Sequence, residues 1–312
     1  MAVHGPDGRE RQLPMGAYRY ELVRSVDYEG WANGRLVGVD CRTAHVDGVT
    51  DGPMGAVVQG DGVALSARWV FDTRPAPPSR PGRTALLQHF RGWFVRTDDD
   101  VFDPAVAGLM DFRVPQPRGG VAFGYVLPTS PREALIEHTS FTRDVLDDAG
   151  YDAALHQYTG EVLGLPPFEV LQVEQGAIPM TDASFPRRVG QRVFRLGAAG
   201  GATRPSTGYT FTAAQRQAAA VADALVHDRD PLPPRAYPRR HLAMDAVLLR
   251  ALDSDRLDGA AFLTDLFDRH PVERVLRFLD GASSPREELS VMASAPSGLM
   301  LRSAGDLLSR RR

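Results

Sequence analysis

The chain has 312 residues, 43% hydrophobic and 24% charged, which is enough for a sizeable core and room for two domains. Its 36 basic residues, all Arg, stand against 39 acidic ones for a net charge of −3, which argues against nucleic acid as the main partner. The absence of Lys excludes Schiff-base chemistry and a P-loop, and the single Cys excludes an internal disulfide or a Cys-based zinc site.

No two of the eight His stand three or four apart, so no His-based metal site is expected. No apolar run approaches the roughly 18 residues of a spanning helix, and the first residues lack the apolar stretch of a signal peptide. The chain reads as cytoplasmic, with contact at the inner face of the membrane open to it, since that needs only an exposed apolar patch.

Residues 1–16 carry Gly, Pro and charge and are expected to be poorly ordered. Tyr18 to Val26 alternates like a strand. Asp27 to Arg35 is a weak helix, diluted by Gly30, Asn33 and Gly34. Val37 to Val70 suggests short antiparallel strands and tight turns, ending in a buried strand at Arg68–Asp72. The stretch TRPAPPSRPGR, 73–83, reads as a crossover between domains.

From Leu86 to Phe141 the pattern is mainly period two. Gln88, Phe90, Gly92 and Phe94 alternate with His89, Arg91, Trp93 and Val95; Trp93 and Phe94 read first as core. Asp111 and Arg113 alternate in one strand and read best as an ion pair on a solvated face. Val121, Phe123, Tyr125 and Leu127 share one face of a half-buried strand; Leu135, Glu137 and Thr139 share one face of the next, and the break from Pro128 to Pro131 makes the two a hairpin. Glu137 is then an acid on an apolar face. Either it keeps its proton near neutral pH because desolvation disfavours the charge, or it pairs with one of the many Arg.

An acidic helix is expected over Asp144–Leu163, ended by Pro166 and Pro167, and a strand pair over Phe168–Met180 carrying Glu174. Gln191–Leu196 is a short apolar strand. It runs into Gly197-Ala198-Ala199-Gly200-Gly201 and on to Thr207, Gly208 and a helix over Ala213–His227. Such a unit suits phosphate, since glycines admit close approach and a helix N-terminus offers free N–H groups; it is also simply what a turn looks like. Thr207 and Thr210 can cap the helix. Pro231–Pro238 is a linker, and from Arg240 Leu and Phe recur at helical spacing. The final three Arg read as a frayed tail.

Five blocks, QHFRGW, MDFR, FGYVLPTSPREALIEHT, EQGAIPM and GAAGGATRPSTGYTF, occur in one order. The series resembles the bacterial lycopene beta-cyclases, FAD-dependent enzymes that close the ends of a linear carotene into rings, and the similarity runs from about Leu22 onward. The resemblance implies an α/β fold with α+β character. Residues 1–84 would be a remainder of an FAD-binding domain, 85–185 an antiparallel substrate sheet, 186–228 a return to the FAD domain and 229–312 a helical region. It implies reduced FAD with NAD(P)H as reductant, a lycopene substrate, Glu137 as catalytic acid, and flavin contacts at Gly197, Ala199, Gly200, Gly201, Thr207 and Gly208. Asp72 and Arg74 match the family's second flavin-side motif, or else a strand end capped by Asp72.

Flavoproteins of this type begin with a strand, a GxGxxG turn and a helix, and no such unit stands near the start here. The expectation is therefore an incomplete FAD-binding fold from a truncated gene model or fragment. An isoprenoid reductase or hydroxylase of the same fold, or an inactive remnant, are the competing readings.

Overall fold

The computed structural model describes residues 1–52 and 54–309; the expected arginine tail, 310–312, lies outside the described residues. The long period-two stretches form one sheet. Its strands are β1 (Ala2–His4), β2 (Glu10–Gln12), β7 (Ala85–Thr97), β8 (Gly108–Asp111), β9 (Val121–Pro128), β10 (Glu133–Thr142) and β11 (Phe168–Thr181), in the spatial order β11-β7-β10-β9-β8-β1-β2. The hairpin between β9 and β10 is as expected, in register from Pro128↔Ala134 to Val121↔Phe141. Ser130 fixes its turn, its Oγ accepting the backbone N–H groups of Arg132 and Glu133 at 3.2 and 3.0 Å.

These strands are not half-buried. Every residue of β10 from Ala134 to Phe141 is buried, because helices cover both faces. On one face Leu86, Val121, Phe123, Phe141 and Met180 pack against α4 (Arg239–Asp253), α5 (Gly259–Arg269), α6 (Val272–Leu279) and α7 (Pro285–Ser294). Phe123 meets Phe112 and Phe141 edge-on at 5.9 and 5.6 Å between ring centres, contacts worth roughly 0.5–1.5 kcal/mol each beyond their burial. On the other face Trp93, Val95, Ala134 and Ile136 pack with Leu155 and Tyr158 of α2 (Asp148–Gln157) and the π-turn that continues it (Tyr158–Val162). Gly124 is where the Tyr158 ring lies on the sheet; a Cβ there would collide with it.

Four expectations are corrected. Residues 1–16 are not all loose: β1 runs parallel to β8, and Val3 has none of its surface exposed. Two apolar residues suffice to anchor a three-residue strand too short to show a period. Thus residues 2–12 hydrogen-bond into the large sheet, not with the strands at 48–72. Tyr18 to Arg24 forms no strand, and α1 (Ser25–Asn33) follows directly; alternation makes a strand only where a ladder partner is present. Phe168–Thr181 is one strand with a bulge between Val170 and Gln172, not a pair. Gly176 makes no turn there; it leaves room for the ring of Phe90. Lastly, β8 ends at Asp111, so Arg113 lies beyond the strand.

The smaller sheets follow the sequence reading in kind but not in extent: no strand forms between Val37 and Gly48, and the strand expected to be buried at Arg68–Asp72 starts only at Val70 and is half-buried, since its one ladder partner is a three-residue strand. β3 (Gly48–Gly52), β4 (Gly55–Gly60) and β5 (Val63–Ala67) form an antiparallel meander. β6 (Val70–Asp72) lies parallel to β12 (Val193–Arg195), and the glycine loop leads from β12 to α3 (Phe211–Val226). The C-terminal region is helical as expected. Its α7 starts with a capping box in which Ser284 and Glu287 satisfy each other's backbone N–H, and α8 (Ser297–Ser309) ends the described chain.

Candidate functional site

Strand register places a row of side chains across four strands. Glu137 of β10 is opposite Tyr125 of β9 on one side and Gly92 of β7 on the other; beyond Gly92 stands Glu174 of β11. The four share a face. His138 points to the opposite one with Ile136, as period two requires.

Glu137 is 2% exposed, and among the described residues no arginine pairs with it. Its partners are neutral donors: Thr139 Oγ1 donates to Oε1 at 2.6 Å, and the Tyr125 hydroxyl donates as well. Burial outweighs these bonds and pushes the carboxyl up to about 8, and the neighbouring Glu174 adds to the rise. Glu174 is itself raised by burial, and its interaction with Glu137 works against that rise. The same surroundings hold the Tyr125 phenol far above its usual range. Tyr20, from the segment before α1, is close enough for the charge of Glu137 to act on its phenol, although 45% of Tyr20 is exposed.

The glycine loop lies against this same face. Gly208, at φ +70°, abuts β7 where a Cβ would collide with Gln88 Oε1 and come within 3.6 Å of Ile178. Gln88 is four residues from Gly92, roughly 13 Å along the strand. Gly197–Gly200 forms a 3-10 turn closed by Gly201 at φ +76°, and Gly197 N–H donates to Gln217 Oε1 at 3.1 Å. Gly200 tolerates no Cβ because Arg195 O occupies the space, whereas the Cβ side of Gly197 is open. The expected threonine caps are not made. Thr210 stands at the N-cap of α3, but its hydroxyl bonds Thr203 Oγ1 and Gly208 O, both at 2.9 Å. Thr207 Oγ1 instead accepts from Tyr209 N at 3.3 Å and donates to Leu279 O at 3.4 Å. The helix therefore begins without a side-chain cap, and Ala199 and Gly200 are buried in the loop.

Three features suit a flavin and its phosphates. An uncapped helix end is a site for negative charge. Gln88 Oε1 is a buried acceptor with no donor among the described residues, at the seam of loop and sheet. A cavity of about 990 Å³ opens beside the loop, bounded by Gly200, Gly201, Thr203, Arg235 and Tyr237, among others. A second cavity, about 280 Å³, lies on the opposite face of the sheet against His89, His138 and Tyr158. Neither is lined by Glu137.

The other residues singled out make contacts within the protein. Asp72 holds Arg74 through both oxygens at 3.0 Å and accepts its backbone N–H at 3.1 Å, which closes the end of β6. Asp111 does pair with Arg113, at 2.9 and 2.6 Å, but the acid is 3% exposed rather than solvated and also accepts from the Tyr158 hydroxyl at 3.1 Å. Trp93 is core, and Arg91 bonds Asp152 at 2.7 Å on the α2 side.

Sequence reasoning assigned no role to Tyr125, Glu174, Arg204 or Asp245. The hairpin register, once its turn is placed, pairs Tyr125 with Glu137. Arg204 has no exposed surface; it is held by Asp245 at 3.1–3.3 Å and by Phe278 O, and Ser206 donates to the same acid at 2.7 Å. That pair bolts the loop to α4 and α6. Its partners are 41 residues apart, which no local pattern reveals.

Together the large sheet, its covering helices and the loop-to-helix unit define a mixed α/β fold of the FAD-dependent flavoprotein kind. CtdE, solved in complex with FAD and a substrate, shares it with a TM-score of 0.52 over 99% of this chain and 82% of that one, at 14% identity. A geranylgeranyl bacteriochlorophyll reductase-like protein from Thermoplasma acidophilum aligns with a TM-score of 0.64 over 96% of this chain and 80% of that one, also at 14% identity.

The chain belongs to the lycopene cyclase family: the model of the lycopene cyclase protein family matches residues 1–305, reaching the first strand as well as the blocks beyond Leu22. A lycopene beta-cyclase from Paracoccus sp. is 32% identical over 250 residues, which is 75% of this chain. The match spans 63% of that relative's length.

Proposed function

We propose that this chain closes the ends of lycopene into beta-ionone rings by an acid-initiated, redox-neutral cyclisation, an isomerase or intramolecular lyase reaction yielding beta-carotene. The observation that carries the proposal is Glu137 itself, buried, pushed up to about 8 by that burial and without a counter-cation among the described residues. A carboxyl of this kind is a general acid near neutral pH.

Glu137 gives its proton to the terminal double bond. A tertiary cation forms, the neighbouring alkene attacks it, and the new ring loses a proton. Phe90, Phe94 and Leu135, on the same face, keep water from the cation. Gly197, Ala199, Gly200, Gly201, Thr207 and Gly208 would hold the flavin, and the uncapped start of α3 suits a phosphate. Reduced FAD, when bound, supplies electron density near the cation, and a nicotinamide donor keeps it reduced. The substrate arrives from the inner face of the membrane, which suits a chain with no membrane-crossing helix among its described residues.

The test is Glu137→Gln, assayed with reduced FAD, NAD(P)H and lycopene in micelles. Ring closure is abolished while bound flavin is unchanged; normal turnover in the variant removes Glu137 as the acid. Nicotinamide oxidised in proportion to product would instead mark a reductase.

A further inference from the structure

We infer that Glu174 is the proton-relay partner of Glu137: a second carboxyl at the sheet edge that returns a proton to the inner acid after each ring closure. The inference rests on the reading of Glu137 as the acid.

The geometry is specific. Glu137 and Glu174 are two strands apart, roughly 10 Å between backbones, since neighbouring strands are separated by about 4.8 Å. The strand between them presents Gly92 at that point, so both side chains lean over it. A Cβ on residue 92 would be 3.2 Å from Glu174 Cγ and 3.4 Å from Glu137 Oε2. The carboxyls meet in the gap, where one can donate a hydrogen bond to the other. Two acids in such contact share one proton, because both cannot ionise at once without strong repulsion. The groups facing Glu137 fix which one keeps it: Tyr125 from β9, Thr139 and Leu135 from β10, Gly92 from β7 and Tyr20 from the segment before α1. None is basic. Glu137 is enclosed, whereas Glu174 is only partly buried on β11, the outermost strand. The protonated member is therefore Glu137, and Glu174 is the carboxylate that accepts its hydrogen bond.

The proton count closes. At the first step the O–H bond of Glu137 breaks and a C–H bond forms on the substrate. The electron pair stays on Glu137, and two carboxylates now face each other. Glu174 takes a proton from water, which re-forms a hydrogen bond to Glu137, and passes the proton across it. The ring cation sheds one proton to water. One proton has entered, one has left, and no electron is transferred.

The experiment compares Glu174→Gln with Glu137→Gln in the flavin-loaded enzyme, by single-turnover and steady-state measurement. Glu174→Gln is expected to close a first ring at near wild-type rate and to run later turnovers about tenfold or more slower. Glu174→Ala should show the same burst and be rescued by added formate or acetate. A wild-type steady state in Glu174→Gln, or loss of its first turnover, overturns the relay. Either result leaves Glu137 as the acid provided Glu137→Gln is dead; a fully active Glu137→Gln overturns the underlying reading instead. A readout without catalysis accompanies these. Carboxyl carbon NMR of the wild-type chain at pH 7 should show Glu137 protonated and Glu174 ionised, with the titration of Glu137 moving down in Glu174→Gln. Two ionised carboxyls, or a Glu137 titration indifferent to Glu174→Gln, overturns the relay.

Discussion

Gly92 lies directly across from Glu137 in the ladder between β7 and β10, and the space its missing side chain leaves is where the carboxyl sits. Gly92→Ala puts a methyl 2.9 Å from Leu135 Cδ1 and 3.4 Å from Glu137 Oε2. Overpacking of this kind costs about 1–3 kcal/mol. Displacing an acid by a fraction of an ångström costs on the order of tenfold or more in rate. Denaturant unfolding and a ring-closure assay on the same preparation check both.

The proton on Glu137 sets two pH dependences of the same sign. As acid it works only while protonated, so activity falls as pH rises through about 8. For stability, its folded value is raised from the ordinary 4.5 to about 8, so the unfolded chain releases this proton first. Stability is complete below the ordinary value, is lost as pH climbs between the two, and levels off above the folded one. Glu137→Gln should thus match wild type near pH 4 and exceed it at pH 8 by on the order of a few kcal/mol, measured by urea titration at each pH.

Tyr125 donates to the ionised form of Glu137 and so restrains its rise. Tyr125→Phe removes that donor and leaves the ring in place. The descending limb of the pH–rate profile should then move upward. A limb that stays fixed or moves down contradicts the hydrogen bond.

The Arg204–Asp245 pair holds the glycine loop. Asp245→Ala leaves a guanidinium buried without its counter-charge, which costs about 3–5 kcal/mol. Flavin retention should fall with it, because the loop from Gly200 to Tyr209 hangs on Arg204 through its backbone: Arg204 N–H bonds Tyr209 O at 2.9 Å, and Gly208 N–H bonds Arg204 O at 2.9 Å. Thermal unfolding and flavin absorbance after gel filtration check the two effects.

The hairpin, the face of Glu137 and the loop-to-helix unit were legible because period two and glycine spacing are local. The tyrosine and the second glutamate of the acid row were not, since they join it through register, which depends on turn geometry and a bulge in β11. Double-sided burial of β9 and β10 was hidden too: Glu137, Thr139 and His138 made them look amphipathic, and those polar side chains are buried with local partners. The first strand escaped notice because three residues carry no period.

The outer member of the acid pair rides on an edge strand. β11 has a neighbour on one side only, exposes Val170, Leu171 and Val173, and carries Pro179, which has no N–H to offer. Fraying starts at such a margin, so heat or mild denaturant would peel Glu174 away while Glu137 stays seated. An ageing preparation would then pass a spectroscopic check of its core and still stall after a single round.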